Sequence, residues 1–212
     1  MVVGDKIALI GAGGAAQDIL CQLIDAWKAE GIDYRGRVLF TERDEVYKPG
    51  TIMNCPVIPQ SEFNPLTHYA IIAIGDSSVR QKVFYQLPEN TRYATIIHPT
   101  VVMSEWVEIG EGSVISALSI LTCNIKIGKH AQINYKSSIA HDFEAGDFFS
   151  TAPGASINGN SKVGNRVYVG SNASIRQGVT LTDDIVIGMG SVVLNDLTKS
   201  GSYARVPAVR LS

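Results

Sequence analysis

The chain has 212 residues, 18 Lys plus Arg against 20 Asp plus Glu, and a formal net charge of −2, enough length for one or two domains with ample core. No basic block is present, so nucleic acid and anionic membrane surfaces are poor partners. No run approaches the roughly 18 apolar residues of a membrane helix, so no membrane insertion is expected.

The opening Met1-Val2-Val3-Gly4-Asp5-Lys6 lacks the long apolar stretch of a secretory signal. The three cysteines, Cys21, Cys55 and Cys123, are odd in number and far apart, as free thiols of a reducing compartment would be. A cytoplasmic location is expected. Lys6-Ile7-Ala8-Leu9-Ile10 reads as a strand, followed by Gly11-Ala12-Gly13-Gly14-Ala15-Ala16 and a helix whose Ile19, Leu20, Leu23, Ile24 and Trp27 share one face, with Gly31 able to cap its end. Arg37-Val38-Leu39-Phe40 reads as a second strand. His68 to Ile74 is a continuous apolar run suited to a sheet buried on both faces. Gly75-Asp76-Ser77-Ser78 turns into a helix carrying Val79, Val83, Phe84 and Leu87, with Ser77 or Asp76 as N-cap. Tyr93 to Ile97 is a last strand. Alternating strands and helices imply a small parallel sheet, an α/β unit over residues 1–96.

From Ile97 to Val193 the grammar changes. Every sixth residue is aliphatic with few exceptions: Ile97, Met103, Ile109, Ile115, Leu121, Ile127, Ile133, Ile139, then Ala145 and Thr151, then Ile157 onward to Val193. Four residues after each comes a second inward candidate, such as Ile125, Ala131, Ser137, Phe143, Phe149 and Ala155. Gly, Asp and Asn crowd the other slots. A short fixed period with one large apolar residue and turn formers is the signature of a parallel β-helix. Hexads suit a three-sided prism, with one hexad for each flat face and corner and three for each coil. Neither the 3.6 period of a helix nor the period of 2 of a half-buried strand is present. The coils are expected over 97–198, with a tail over 199–212 that leaves the repeat.

Gly11-Ala12-Gly13-Gly14-Ala15-Ala16 fits a glycine-rich loop between strand and helix, where backbone N–H groups approach phosphates. Fewer than 100 residues precede the coils, half of a full dinucleotide fold, so a mononucleotide or nucleotide-sugar diphosphate fits better than NAD. The alternative is a tight turn with no ligand. Gly75-Asp76 ends a strand beside that loop, where such sheets bind ligands, although Asp76 also suits a plain helix cap. Of the four histidines, His98 before Pro99 suits a turn, and His68 and His130 are expected on the surface. His141 differs because Asp142 follows it at a corner slot usually filled by small or polar residues. An imidazole can accept a proton near pH 7, and a neighbouring carboxylate can hold its tautomer. His130 and His141 occupy different hexad slots and no third histidine lies in the coils, so no metal site is expected.

A small Rossmann-like domain opening Gly11-Ala12-Gly13-Gly14, joined to hexapeptide coils with a His141-Asp142 pair, resembles the sugar acetyltransferases of the NeuD/PglD type. The resemblance covers nearly the whole chain. It is carried further by Ala73-Ile74-Gly75-Asp76 through Arg80, Asn134, Pro153-Gly154-Ala155, Gly159, Val163-Gly164-Asn165, Gly188-Met189-Gly190 and Val206-Pro207-Ala208.

It implies an α/β Rossmann-like half-domain binding a nucleotide sugar of the UDP-linked 4-amino-4,6-dideoxy type, followed by a left-handed parallel β-helix. The hand comes from the resemblance alone, since periodicity does not show it. The implied activity is acetyl-CoA-dependent N-acetylation by direct attack, in surface-glycan biosynthesis. His141 would be the general base and Asp142 its orienting partner. Gly11, Gly13, Gly14, Ala15, Thr41, Glu42, Gly75, Asp76 and Asn134 would bind the sugar nucleotide. Ser150, Gly159, Ser171 and Met189 would face the coenzyme, with the amide near Gly159 receiving the oxyanion.

Ser150 stands where many relatives carry a second histidine. Ala15-Ala16 and Thr41-Glu42 also depart from the usual nucleotide loop and strand end. Arg205, where glycine is common, is expected to be solvated. The family is trimeric, and Phe143, Phe148 and Phe149 beside His141 look too many for so narrow a core, so an exposed aromatic patch at a homotrimer boundary is expected. Two other readings stay open: O-acetylation of a sialic-acid-like sugar, and a non-catalytic nucleotide-sugar-binding protein.

Overall fold

A computed structural model describes residues 6–211. The chain forms two compact units that meet in sequence at Pro99 and Thr100, three residues beyond the junction expected from the hexads.

The first unit is built on β1 (Ile7–Ile10), α1 (Gly14–Ala29), β2 (Val38–Glu42), β3 (Gly50–Ile52), β4 (Cys55–Pro59), β5 (Tyr69–Ile72) and α2 (Ser77–Gln86). The sheet order is β3-β4-β2-β1-β5. β1 runs parallel to both β2 and β5, and β2 runs parallel to β4. Every residue of β1 is buried, as a central parallel strand requires. α1 buries Ile19, Leu20, Leu23 and Trp27, and Gly31 follows its end at φ 73°. Asp76 caps α2, its Oδ1 accepting from the Val79 amide at 2.8 Å. The β3–β4 hairpin is not legible in the sequence. Pro56 and Pro59 argue against a strand, and its turn is made by Met53 and Asn54 at φ 50° and 63° rather than by Asn-Gly.

The second unit is a parallel β-helix. Ser138 pairs with Ser156 and Ile139 with Ile157, so each coil takes 18 residues, three hexads. The strands are mostly two residues long, so packing and not strand length holds the stack. Ile115, Leu121, Ile133, Ile139, Ile157, Val169, Ile175, Ile187 and Val193 are all buried, as are Ile125, Phe143, Phe149, Val167, Val179 and Ile185 of the second series. Each such aliphatic side chain contributes roughly 1.5–3 kcal/mol on burial. The rule weakens at the first coil, where Met103 is exposed.

Corners turn through left-handed residues: Asn124, Asp142 and Asn160 at φ 54°, 57° and 57° on one edge, and Lys136 and Asn172 on another. Asn and Asp tolerate that conformation better than other non-glycine residues, hence their frequency in the repeat. Residues beyond 198 leave the hexad rule but not the sheet. Gly201–Ala204 pairs in parallel with Ile185–Ile187, and Val209–Arg210 turns back antiparallel upon it.

Two surface expectations are corrected here. Phe143, Phe148 and Phe149 are all buried, so these three form no exposed patch. Room for them comes from small inward neighbours, Ala131, Ser137, Ala155 and Ser161, which are themselves fully enclosed. Phe143 and Phe149 pack with ring centroids 5.6 Å apart. His130 is also buried. It turns a corner at φ 55°, with its ring above Gly112, where a Cβ would collide with it, and stacked 5.3 Å from Phe148. His68 is half-buried and burial lowers its pKa. His98 is buried, with Nε2 3.4 Å from Asp25 Oδ2.

Candidate active site

The three faces of the coil differ in what they show outside. One carries Glu108, Lys126, Glu144 and Lys162, with Lys162 Nζ 3.1 Å from Glu144 Oε1. A second carries Val102, Ile120, Ser138, Ser156, Ser174 and Val192. The third carries Val114, Gln132, Ser150, Tyr168 and Val186.

His141 and Asp142 lie on the corner between the charged face and the serine face. The hexad Ile139–Glu144 places Ile139 and Phe143 inward, which leaves His141 and Asp142 free to project. His141 Nδ1 is 2.7 Å from Asp142 Oδ2, and the His141 side chain is 48% exposed. Asp142 Oδ1 accepts from Asn124 Nδ2 at 3.1 Å, one coil below. The two contacts hold the carboxyl below its ordinary range, the His141 hydrogen bond first and Asn124 second. A depressed folded pKa means that this charge-assisted bond is complete above the unfolded value and is lost only as pH falls through the lowered one. Asp142 is therefore ionised throughout the neutral range. Above the pair sits Gly159, where a Cβ would fall 2.6 Å from His141 Cε1 and 2.7 Å from Nε2. The imidazole thus rests on the backbone of the next coil, with Nδ1 tied to a carboxylate. Among the described residues no hydrogen bond is made to Nε2. The arrangement can take a proton at Nε2 while Nδ1–H stays bound.

The other expected coil residues lie elsewhere. Asn134 is at the corner between the third face and the serine face, its Oδ1 accepting from the Tyr135 amide at 2.8 Å. Ser171 and Met189 follow on that same edge, with the Gly190 amide donating to Ser171 O at 2.8 Å and Met189 largely exposed. Ser150 is in the strand Ser150–Thr151 on the third face and is buried between Gln132 and Tyr168 in register. In one chain, then, the edge with His141 is opposite the face with Ser150. Arg205, at φ 89°, is exposed.

In the first unit, Gly11 has φ 117° and lies against the end of β5: a Cβ there would be 3.2 Å from Ala73 O. Gly13 is the N-cap of α1 without a side-chain cap, and Gly14 and Ala15 begin the helix, so first-turn amides point outward. Gly75 and Asp76 are exposed beside this loop. Arg80 is buried beneath them, its Nη1 donating to Ile74 O at 2.8 Å and Gly75 O at 3.1 Å, and burial lowers its pKa to about 10. Thr41 is fully buried, because β2 is flanked by β1 and β4. What it offers at the strand end is its carbonyl, which accepts from the Gly11 amide at 3.1 Å. Glu42 is half-exposed, its Oε1 accepting from the Arg43 amide at 2.9 Å. A cleft of about 640 Å³ opens nearby between Arg43–Glu45, Gln60–Ser61 and Gln86.

No family model matches the chain. Among curated proteins it is 36% identical over 126 residues to the GDP-perosamine N-acetyltransferase of Escherichia coli O157:H7, which covers 59% of this chain and 57% of that protein. It is 32% identical over 104 residues to the galactoside O-acetyltransferase of E. coli K12, covering 40% and 51%. The chain thus spans little more than half the length of these relatives. Among solved structures it superposes on WeeI from Acinetobacter baumannii AYE with a TM-score of 0.88 at 28% identity, covering 97% of this chain and 99% of that one. On PerB from Caulobacter crescentus, in complex with CoA and GDP-perosamine, the TM-score is 0.85 at 28% identity, covering 100% and 99%. By sequence and by fold the chain is thus similar to hexapeptide-repeat sugar acetyltransferases.

Two features around the pair carry no local signal in the sequence. Asn124, which holds Asp142, is an unremarked corner asparagine until the hexads are stacked; counting 18 residues back from Asp142 finds it. Trp106 and its neighbours line a cleft below it. Among the described residues no cluster of three His, Cys, Asp or Glu could hold a metal ion, and no helix is long and apolar enough to cross a membrane.

Proposed function

We propose that this protein transfers the acetyl group of acetyl-CoA to the amino group of a nucleotide-linked amino sugar, of the 4-amino-4,6-dideoxy type, in surface-glycan biosynthesis in the cytoplasm. The observation that carries this is the His141–Asp142 pair, seated at 2.7 Å on a coil corner of a chain whose relatives include a GDP-perosamine N-acetyltransferase. The sugar amine attacks the thioester carbonyl carbon, and His141 Nε2 takes the proton the nitrogen sheds. The C–S bond breaks, and the proton passes from Nε2 to the departing thiolate. Asp142 keeps Nδ1 protonated and steadies the imidazolium. In this reading a backbone amide beside Gly159 receives the oxyanion.

The first unit is the nucleotide end in this reading, a Rossmann-like half-domain. A Cβ at Gly13 or Gly14 would meet nothing within 4 Å, so the fold itself does not demand glycine there; close approach of a diphosphate to the α1 amides supplies the reason. Glu42, Gly75 and Asp76 border the same strand ends. The coil is taken as left-handed, with Ser171 and Met189 along the coenzyme's path and Asn134 toward the sugar.

The test is to incubate the protein and acetyl-CoA with GDP-perosamine and with UDP-linked 4-amino-4,6-dideoxy sugars, following free thiol and the acetylated product by mass spectrometry. No thiol release with either series would reject the assignment. The similarity to a galactoside O-acetyltransferase favours a second reading, transfer to a sugar hydroxyl, which alkaline lability of the product would reveal.

Assembly as a homotrimer belongs to the proposal. It is supported by two faces without charge and one with a charge ladder, and by the scatter of His141, Ser150 and Ser171 over two edges and the third face, which neighbouring copies can bring together. Light scattering should give the mass of three chains, and a fully active monomer at assay concentration would rule the arrangement out. Ser150 is proposed to stand by the thioester in place of a histidine. Ser150→Ala should cost about 1 kcal/mol of transition-state stabilisation, about five-fold in kcat/KM, as one neutral hydrogen bond does. Unchanged kinetics would make it a bystander.

A further inference from the structure

The first coils carry an aromatic side chain that neither the core nor the proposed chemistry uses. Trp106 is 65% exposed, and its amide donates to Ser104 Oγ at 3.2 Å, which pins the turn that presents it. It lies in a cleft of about 210 Å³ with Glu105, Glu108, Asn124, Ile125 and Lys126. That volume is below the roughly 300–1,000 Å³ of sites for drug-sized ligands, so it suits one ring and not a whole nucleotide sugar.

The chemistry of the lining is equally specific. An indole presents a flat apolar face to the C–H groups of a pyranose. Two carboxylates, an amide and an ammonium supply acceptors and donors for its hydroxyls. Asn124 belongs both to this cleft and to the base, since its Nδ2 donates to Asp142 Oδ1. The two sides of the His141–Asp142 pair also differ. The imidazole leans on Gly159 in the coil above, whereas the carboxylate is tied to Asn124 in the coil below.

We propose that the Trp106–Asn124 cleft is the subsite for the amino-sugar ring of the acceptor, with Trp106 stacking on the ring and Asn124 linking the subsite to the catalytic pair. The acceptor then approaches His141 from the low-numbered coils and the thioester from the Gly159 side. This assignment rests on the proposed acetyltransfer.

The protein carries its own probe. It has two tryptophans, and Trp27 is 1% exposed, so acrylamide quenching reports Trp106. Quenching is measured with GDP-perosamine, a UDP-4-amino-4,6-dideoxy sugar, GDP, UDP and CoA, with thiol release recorded for the same samples. The nucleotide sugar that is turned over should lower the quenching constant about two-fold, while its nucleoside diphosphate and CoA leave it unchanged. Trp106→Ala should raise KM for that sugar about ten-fold, with KM for acetyl-CoA and the light-scattering mass unaltered. Turnover without protection, or protection by the diphosphate or CoA alone, would overturn the assignment. A loss of mass in Trp106→Ala would instead make Trp106 a subunit contact and overturn it too. If neither sugar releases thiol, the acetyltransfer itself fails and the subsite falls with it.

Discussion

Replacing His141 by alanine should lower turnover by about 10²–10⁴-fold, the range expected for removing a general base. The fold should survive the change. The side chain is about half exposed on a corner, and the part of His141 that the coil needs is its carbonyl, which accepts from the Asn160 amide at 2.9 Å. Alanine keeps that carbonyl, so the thermal midpoint should move little. Asp142 would lose its first partner but keep Asn124, so the corner would not collapse. Acetyl-CoA affinity, measured by calorimetry, should be nearly unchanged, because the imidazole acts on the nucleophile's proton and not on the coenzyme. The thiol-release assay decides the matter. Turnover within a few-fold of the unmodified protein would remove His141 from the chemistry and require another base.

The coil was legible because its signal repeats. A single hexad is ambiguous between strand and helix, but the buried series from Ile115 to Val193 holds one register throughout, and pairing at 18 residues follows from three hexads to a coil. His141 and Asp142 were legible because they break the repeat's habit at a corner. Their geometry was not, since Asn124 and Gly159 are distant in sequence and meet the pair only through stacking. The same blindness misplaced the phenylalanines. The volume open to Phe143 and Phe149 is set by Ala131 and Ala155 on adjacent coils, whose small size has no local signature. His130 went wrong in the same way, because its cover comes from Phe148. In the first unit the strands that alternate with helices were readable, whereas the β3–β4 hairpin carries prolines and a Met53-Asn54 turn that local propensity does not favour. Arg80 shows a further limit. Its burial has no local signature, because the open carbonyls of Ile74 and Gly75 draw it inside.

Gly159→Ala should reduce turnover by about 100-fold while leaving the fold intact. Backbone geometry does not forbid the change, because Gly159 is not among the residues at positive φ. The obstacle is the imidazole: the new Cβ would lie 2.6 Å from Cε1, 2.7 Å from Nε2 and 3.0 Å from Cδ2 of His141. Real carbon contacts do not approach so closely, so one partner must move. The Gly159 carbonyl is held by the Gly178 amide at 2.9 Å in the coil above, whereas the ring is a half-exposed side chain that can rotate into solvent. The ring moves. Its departure stretches or breaks the 2.7 Å contact between Nδ1 and Asp142 Oδ2, so the base loses both its position and the hydrogen bond that fixes its tautomer. Misplacing a reacting group by about 1 Å can cost 10²-fold. The variant should therefore resemble His141→Ala in turnover and the unmodified protein in thermal midpoint and mass. The double variant, Gly159→Ala with His141→Ala, should be no worse than His141→Ala alone, since both changes remove the same group. Additive losses in the double variant would show that Gly159 acts independently of the ring, and full activity of Gly159→Ala would show that the ring works from another position.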